Sequence, residues 1–178
     1  MKYKATKVIF AALLSGCGLM GASAYAIDNQ TAGQTTGNQM QMQTSTNDGA
    51  AFLATNKTKP GVVSLPDGLQ YKVIKNGSGD PGNPDATPGA NDVVKVNYTG
   101  KFVDGKVFDS SKGTPVSFPV GGVIPGFSEA LMKMKKGSVW EVYIPANLAY
   151  GAAGAPPVIG PNQTLIFTIE LVDYNKNS

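Results

Sequence analysis

The segment from Val96 to Ser111, VNYTGKFVDGKVFDSS, limits what this chain can become more than any other. On the way in, Val94, Val96, Tyr98, Gly100 and Phe102 share one side, and Lys95, Asn97, Thr99 and Lys101 share the other. That is the period of a strand with one buried face. Asp104-Gly105 tolerates positive φ at both central positions of a hairpin, so a tight two-residue reversal is predicted there. The returning arm brings Phe108 and Asp109 back toward the core. A carboxylate carried inward beside an aromatic ring needs a partner.

With 178 residues the chain has room for one domain of ordinary size plus extensions. Histidine is absent, which removes the commonest general base, the usual zinc ligand and every Ser-His or Cys-His dyad. Arginine is absent as well, so all 15 basic residues are lysines and bidentate reading of phosphate or guanine is lost. Nucleic acid is therefore not an expected partner. No metal and no cofactor is expected.

The net charge of +3 is local. Lys2, Lys4 and Lys7 precede the apolar run Val8 to Leu14, the layout of an export signal over residues 1–26. Beyond Ala26, 12 lysines balance 12 carboxylates, so the remainder has no overall pull toward anionic surfaces. Two processing sites compete. Ala24-Tyr25-Ala26 has the small residues of ordinary signal cleavage, whereas Leu14-Ser15-Gly16-Cys17 resembles a lipobox in which Cys17, the only cysteine, is lipidated. The first predicts a periplasmic or secreted protein, the second an outer-membrane lipoprotein. Neither leaves a thiol to form a disulfide.

Residues 27–49 hold 5 Gln, 5 Thr, 3 Asn and 1 Ser, or 14 of 23, too little apolar surface to offset chain entropy. They are expected to form a disordered polar tether; the Met40 and Met42 pair buries too little to order it. Residues 50–61 read as a short helical lead-in stopped by Pro60-Gly61. The globular part is expected from Val62 to Ser178. Leu69 to Ile74 reads as a strand, Asn76 to Asn91 as a Gly- and Pro-rich loop, and Val116 to Val120 as an edge strand broken by Pro119. Phe127, Ala130, Leu131 and Met134 have helical spacing, with Gly137 as the expected C-terminal cap. Lys133, Lys135 and Lys136 read as a solvated face near the helix's negative end. Strands at Val139 to Ile144 and Thr164 to Asp173 close an α+β domain, a mostly antiparallel sheet wrapped on one short helix.

YTGKFVDGKVFDSS, then VIPGF at the helix start, AYG at Ala149 to Gly151 and LIFTIEL at Leu165 to Leu171 together resemble the FKBP-type peptidyl-prolyl cis-trans isomerases. The likeness covers about Gly68 to Tyr174. AFLATNKTKPGVVSLPDGLQYKVI resembles more narrowly the exported bacterial branch, the macrophage infectivity potentiator type. That branch usually carries a helical dimerisation module ahead of this point; with a polar tether in its place, a monomer is expected.

The resemblance implies an enzyme that turns X-Pro bonds during the folding of exported proteins. It also implies that Tyr98, Phe108, Val123, Ile124, Phe127 and Phe167 line a proline pocket. Phe127 stands at the floor where many members have Trp, and Val116 where some have an aromatic, which predicts a roomier pocket and leaves macrolide inhibitors as possible ligands. Ile124 would offer a backbone N–H, Tyr150 its hydroxyl, and Asp109 would orient Tyr98 or polarise the amide. Ile159 would close one wall. Taken alone, the rings read as core aromatics and Asp109 as a turn residue. The other function compatible with this reading is a chaperone or peptide-binding module with little turnover. Trp140 is expected to be packing.

Overall fold

The computed structural model describes residues 48–83 and 85–177. The export signal, Cys17, Met40, Met42 and nearly all of the expected tether lie outside them.

Seven strands form one sheet: β1 (Val62–Ser64), β2 (Gln70–Lys75), β3 (Val93–Phe102), β4 (Val107–Ser110), β5 (Val116–Pro119), β6 (Val139–Ile144) and β7 (Leu165–Asn175). The order is β1-β2-β6-β7-β3-β4, with β5 also on β3, and every pairing is antiparallel. β3 is the hub. One edge pairs with β7 from Val93 to Phe102, while the other is divided between β5, on Val93 to Val96, and β4, on Thr99 to Lys101. Ser111 fills the break, its N–H donating to the Tyr98 carbonyl at 2.9 Å and its hydroxyl accepting the Tyr98 N–H at 3.1 Å. The alternation read from β3 holds, with Val94, Val96, Tyr98 and Gly100 buried.

The turn differs from the expected one. Only Gly105 has positive φ, at +88°. The Gly105 N–H donates to the Phe102 carbonyl at 3.0 Å and the Phe102 N–H to the Lys106 carbonyl at 2.9 Å, a three-residue loop. Asp104 instead uses Oδ1 to accept the Lys106 N–H at 2.9 Å, which the two-residue turn would not require of it.

Helix α2 (Pro125–Lys133) lies across the core face. Pro125 opens it, a position where the missing N–H costs nothing. At Gly126 an added Cβ would stand 2.5 Å from Cγ2 of Ile144, so the helix start rests almost directly on β6. Gly137 does not cap it. The helix ends at Lys133 because Met134 turns extended and is fully buried; Gly137 closes a later turn and donates its N–H to the Leu171 carbonyl at 2.7 Å. Glu129 falls after the first turn, paired with Lys133 at 3.8 Å. The lysine cluster reaches distant carboxylates, Lys135 to Asp85 at 2.5 Å and Lys136 to Asp173 at 2.6 Å.

A second helix, α1 (48–56), was expected only as a lead-in over 50–61. It begins earlier, taking in Asp48 and Gly49 from the end of the expected tether, and residues 57–60 form turns. Gly49 is buried where a Cβ would stand 2.5 Å from the Thr164 hydroxyl, so its bareness lets the helix dock. Phe52 meets Tyr143 at 5.9 Å, on the sheet face opposite α2. Asn56, fully buried, donates to Gln70 Oε1 at 3.0 Å, and Gln70 Nε2 donates to the Leu53 carbonyl at 2.9 Å. The folded unit thus reaches back at least to residue 48, ahead of Val62. Among the described residues no helix is long and apolar enough to cross a membrane.

Candidate active site

The site grows from β3 and its two neighbours. Tyr98 points into the core from β3 and is 3% exposed. Asp109, on β4 across the hairpin, accepts its hydroxyl at 2.8 Å through Oδ2, while Oδ1 accepts the Ser110 N–H at 2.8 Å. The carboxylate at the hairpin's return therefore has its partner. Burial, then the bond to Asp109, raises the Tyr98 phenol above its ordinary value, so it stays protonated and donates.

Six rings run through the core in contact. Phe102 meets Phe108 at 4.9 Å, Phe108 meets Phe167 at 5.6 Å, and Phe167 meets Phe127 at 5.2 Å. Phe127 meets Tyr98 at 6.3 Å and Tyr98 meets Phe118 at 6.0 Å. The Phe108–Phe167, Phe167–Phe127 and Phe127–Tyr98 pairs are near-perpendicular, the edge-to-face geometry that aromatic quadrupoles favour. The packing fixes each ring against the next.

Val123 and Ile124 precede α2 and are both buried. The Ile124 carbonyl accepts the Phe127 and Ser128 N–H groups at 3.0 Å each, which fixes this residue at the helix entrance. Tyr150 follows a 3-10 turn at Ala146–Leu148 and packs against the same cluster. Burial, then the charge of Asp109, pushes its phenol up to about 12. Its loop is held by Asn162 N–H to the Gly151 carbonyl at 2.8 Å and by the Ala155–Ile159 bridge, which buries Ile159.

Tyr98, Val123, Ile124, Phe127, Ile159 and Phe167 thus belong to one buried cluster with Phe108 and Tyr150 packed against it, and Asp109 is tied to it through Tyr98. Val116 is paired with Val96 and half-buried, and it packs against the same core from β5. Trp140 stacks on Tyr71 at 4.3 Å, outside the site. Phe102 and Phe118 were not singled out from the sequence. The signal was available, because period two sets Phe102 on the Tyr98 face and Phe118 on the Val116 face.

The arrangement offers hydroxyl donors and a carboxylate at the margin of a dry aromatic wall. The sequence has no histidine and the described residues hold no thiol, so nucleophilic chemistry of the Ser-His or Cys-His kind lacks its base. What such a surface can do is exclude water, hold an apolar ring and position polar hydrogens.

Comparison with known proteins points the same way. The family described as FKBP-type peptidyl-prolyl cis-trans isomerase matches residues 85–172, and the domain amino-terminal to it matches 18–73, across the stretch read from composition as a tether. The chain is 52% identical over 128 residues to the peptidyl-prolyl cis-trans isomerase Mip of Coxiella burnetii, covering 71% of this chain and 53% of that one. It is 53% identical over 130 residues to the outer membrane protein MIP of Legionella longbeachae, covering 72% and 53%. The chain spans about half the length of these relatives. Among solved structures, a peptidyl-prolyl cis-trans isomerase from Pseudomonas syringae superposes with a TM-score of 0.69 at 37% identity, covering 76% of this chain and 96% of that one. Escherichia coli FkpA gives 0.67 at 39%, covering 77% and 64%.

Proposed function

Because the chain belongs to the FKBP-type peptidyl-prolyl cis-trans isomerases, we propose that it accelerates rotation about X-Pro bonds in unfolded polypeptides. Rotating such a bond uncatalysed takes tens to hundreds of seconds, because amide resonance must be broken. No covalent step is needed. A twisted amide has less charge separation than the planar one, so a dry aromatic slot favours it over the ground state.

In this reading the proline ring sits against Phe108, Phe127 and Phe167, with Val123 and Ile159 beside it and Val116 at the rim. The Ile124 N–H and the Tyr150 hydroxyl hold carbonyls of the client on either side of the bond. Asp109 fixes the direction of the Tyr98 hydroxyl and sets the field the amide feels as it turns. The bond between Asp109 and Tyr98, within the ring chain, carries this reading.

A protease-coupled assay on an Ala-Leu-Pro-Phe peptide is expected to show acceleration, and Tyr150→Ala or Asp109→Leu to lower it roughly tenfold or more. Wild-type protein that suppresses aggregation without accelerating isomerisation would instead be a peptide-binding module of the same fold.

We read the protein as exported, acting on clients folding outside the cytoplasm. Intact mass of the mature N-terminus discriminates a free Ile27 from an acylated Cys17. A monomer is expected in sedimentation, with the macrolide class as inhibitors weakened by the change to Phe127 at the floor.

A further inference from the structure

Gly100 has no side chain, yet two rings of the site close directly over it. An added Cβ would stand 2.6 Å from Cζ and 2.8 Å from Cε2 of Phe108, and 2.8 Å from Cε1 of Phe167. Non-bonded carbons rest about 3.5–4.0 Å apart, so a methyl group cannot enter unless a ring or a strand moves. Backbone conformation does not demand glycine here. Gly100 is an ordinary residue of β3, outside the positive-φ glycines, and a strand interior is weakened by lacking a side chain. The register sharpens the point, since Gly100 faces Asp109 on β4 and Phe167 on β7, and the β4 ladder shifts just beyond it.

We propose that Gly100 is a positioning and specificity-determining residue: its missing side chain sets how deep Phe108 and Phe167 sit, and hence the width of the slot that takes proline. The inference rests on the isomerase reading above. Phe167 is 1% exposed and held edge-to-face between Phe108 and Phe127. Phe108 is only half-buried, so a methyl at position 100 displaces Phe108 first, outward into the space the client occupies. A larger side chain would also lift β4, and with it Asp109, from β3.

The test compares wild type, Gly100→Ala, Phe108→Leu and the double variant, using thermal unfolding, coupled-assay kcat/KM and calorimetric affinity for an Ala-Leu-Pro-Phe peptide. Gly100→Ala is expected to weaken peptide affinity and to lower kcat/KM roughly tenfold or more. Phe108→Leu lowers activity by itself yet restores part of the loss in the Gly100→Ala background, because the shorter side chain clears the added methyl. A merely structural glycine would lower the unfolding temperature without that rescue. Wild-type kcat/KM in Gly100→Ala, or losses that simply add in the double variant, overturns the proposal, as does a double variant that fails to fold. The isomerase reading fails separately, through an inactive wild type. Movement of the Phe108 ring resonances in Gly100→Ala then still decides the role of Gly100.

Discussion

Tyr98 and Asp109 act as a pair, and neither is complete without the other. Replacing Tyr98 by Phe leaves Asp109 Oδ2 without its donor and is expected to cost about 1.5–3 kcal/mol of stability, as for a hydrogen bond to a charged acceptor. Asp109→Asn keeps a bond but removes the charge that acts on both phenols. A cycle of Tyr98→Phe, Asp109→Asn and the double variant, followed by denaturation and by kcat/KM, is expected to give losses well short of additive. Additive losses would mean that the two side chains work independently. At this scale the sequence was informative wherever a residue's role is set by near neighbours. Asp109 beside Phe108 at a strand return needed a partner, and Tyr98 supplies it from the facing strand. Gly100 was not legible as more than a small residue on the buried face, because the rings that need its space arrive from β4 and from β7, far along the chain.

At the scale of elements, β3 declares itself because every second residue is buried, and α2 because its apolar residues recur at helical spacing. Their ends were less legible. Met134 leaves the helix to fill the core, which no capping preference anticipates, and Asp104 spends its carboxylate within the turn instead of adopting positive φ. The docking of α1 was hidden for a different reason: what joins it to the sheet is largely polar, Asn56 to Gln70 and Gln70 to Leu53. Hydrophobic periodicity does not see such a link. Asn56→Ala removes the donor to the buried Gln70 Oε1 and is expected to destabilise by about 1–3 kcal/mol, read as a lower urea midpoint at unchanged slope. If the midpoint does not move, α1 contributes nothing through this contact.

At the scale of the whole molecule, four tyrosines among the described residues share one electrostatic condition. Burial, with Asp109, Glu141, Asp109 and Asp80 nearby in turn, raises Tyr98, Tyr143, Tyr150 and Tyr174 above the ordinary 10.0, the last three to about 12. The unfolded chain gives up these protons first. Stability from this source is therefore complete below pH 10 and is lost as pH rises from about 10 through about 12. The tyrosinate signal of these four phenols, isolated by Tyr→Phe variants, is expected to appear together with loss of the native fold, not ahead of it; their early, independent ionisation would refute the assignment. The hub role of β3 has a consequence for how the molecule comes into being. Asn97 donates to Glu170 across a separation of 73 residues, and Gly100 meets Phe167 only through the same pairing. A chain emerging from the ribosome carries the hairpin long before the strand that completes it. The ring cluster is thus complete only once β7 has paired with β3, a long-range contact that local structure cannot form ahead of it.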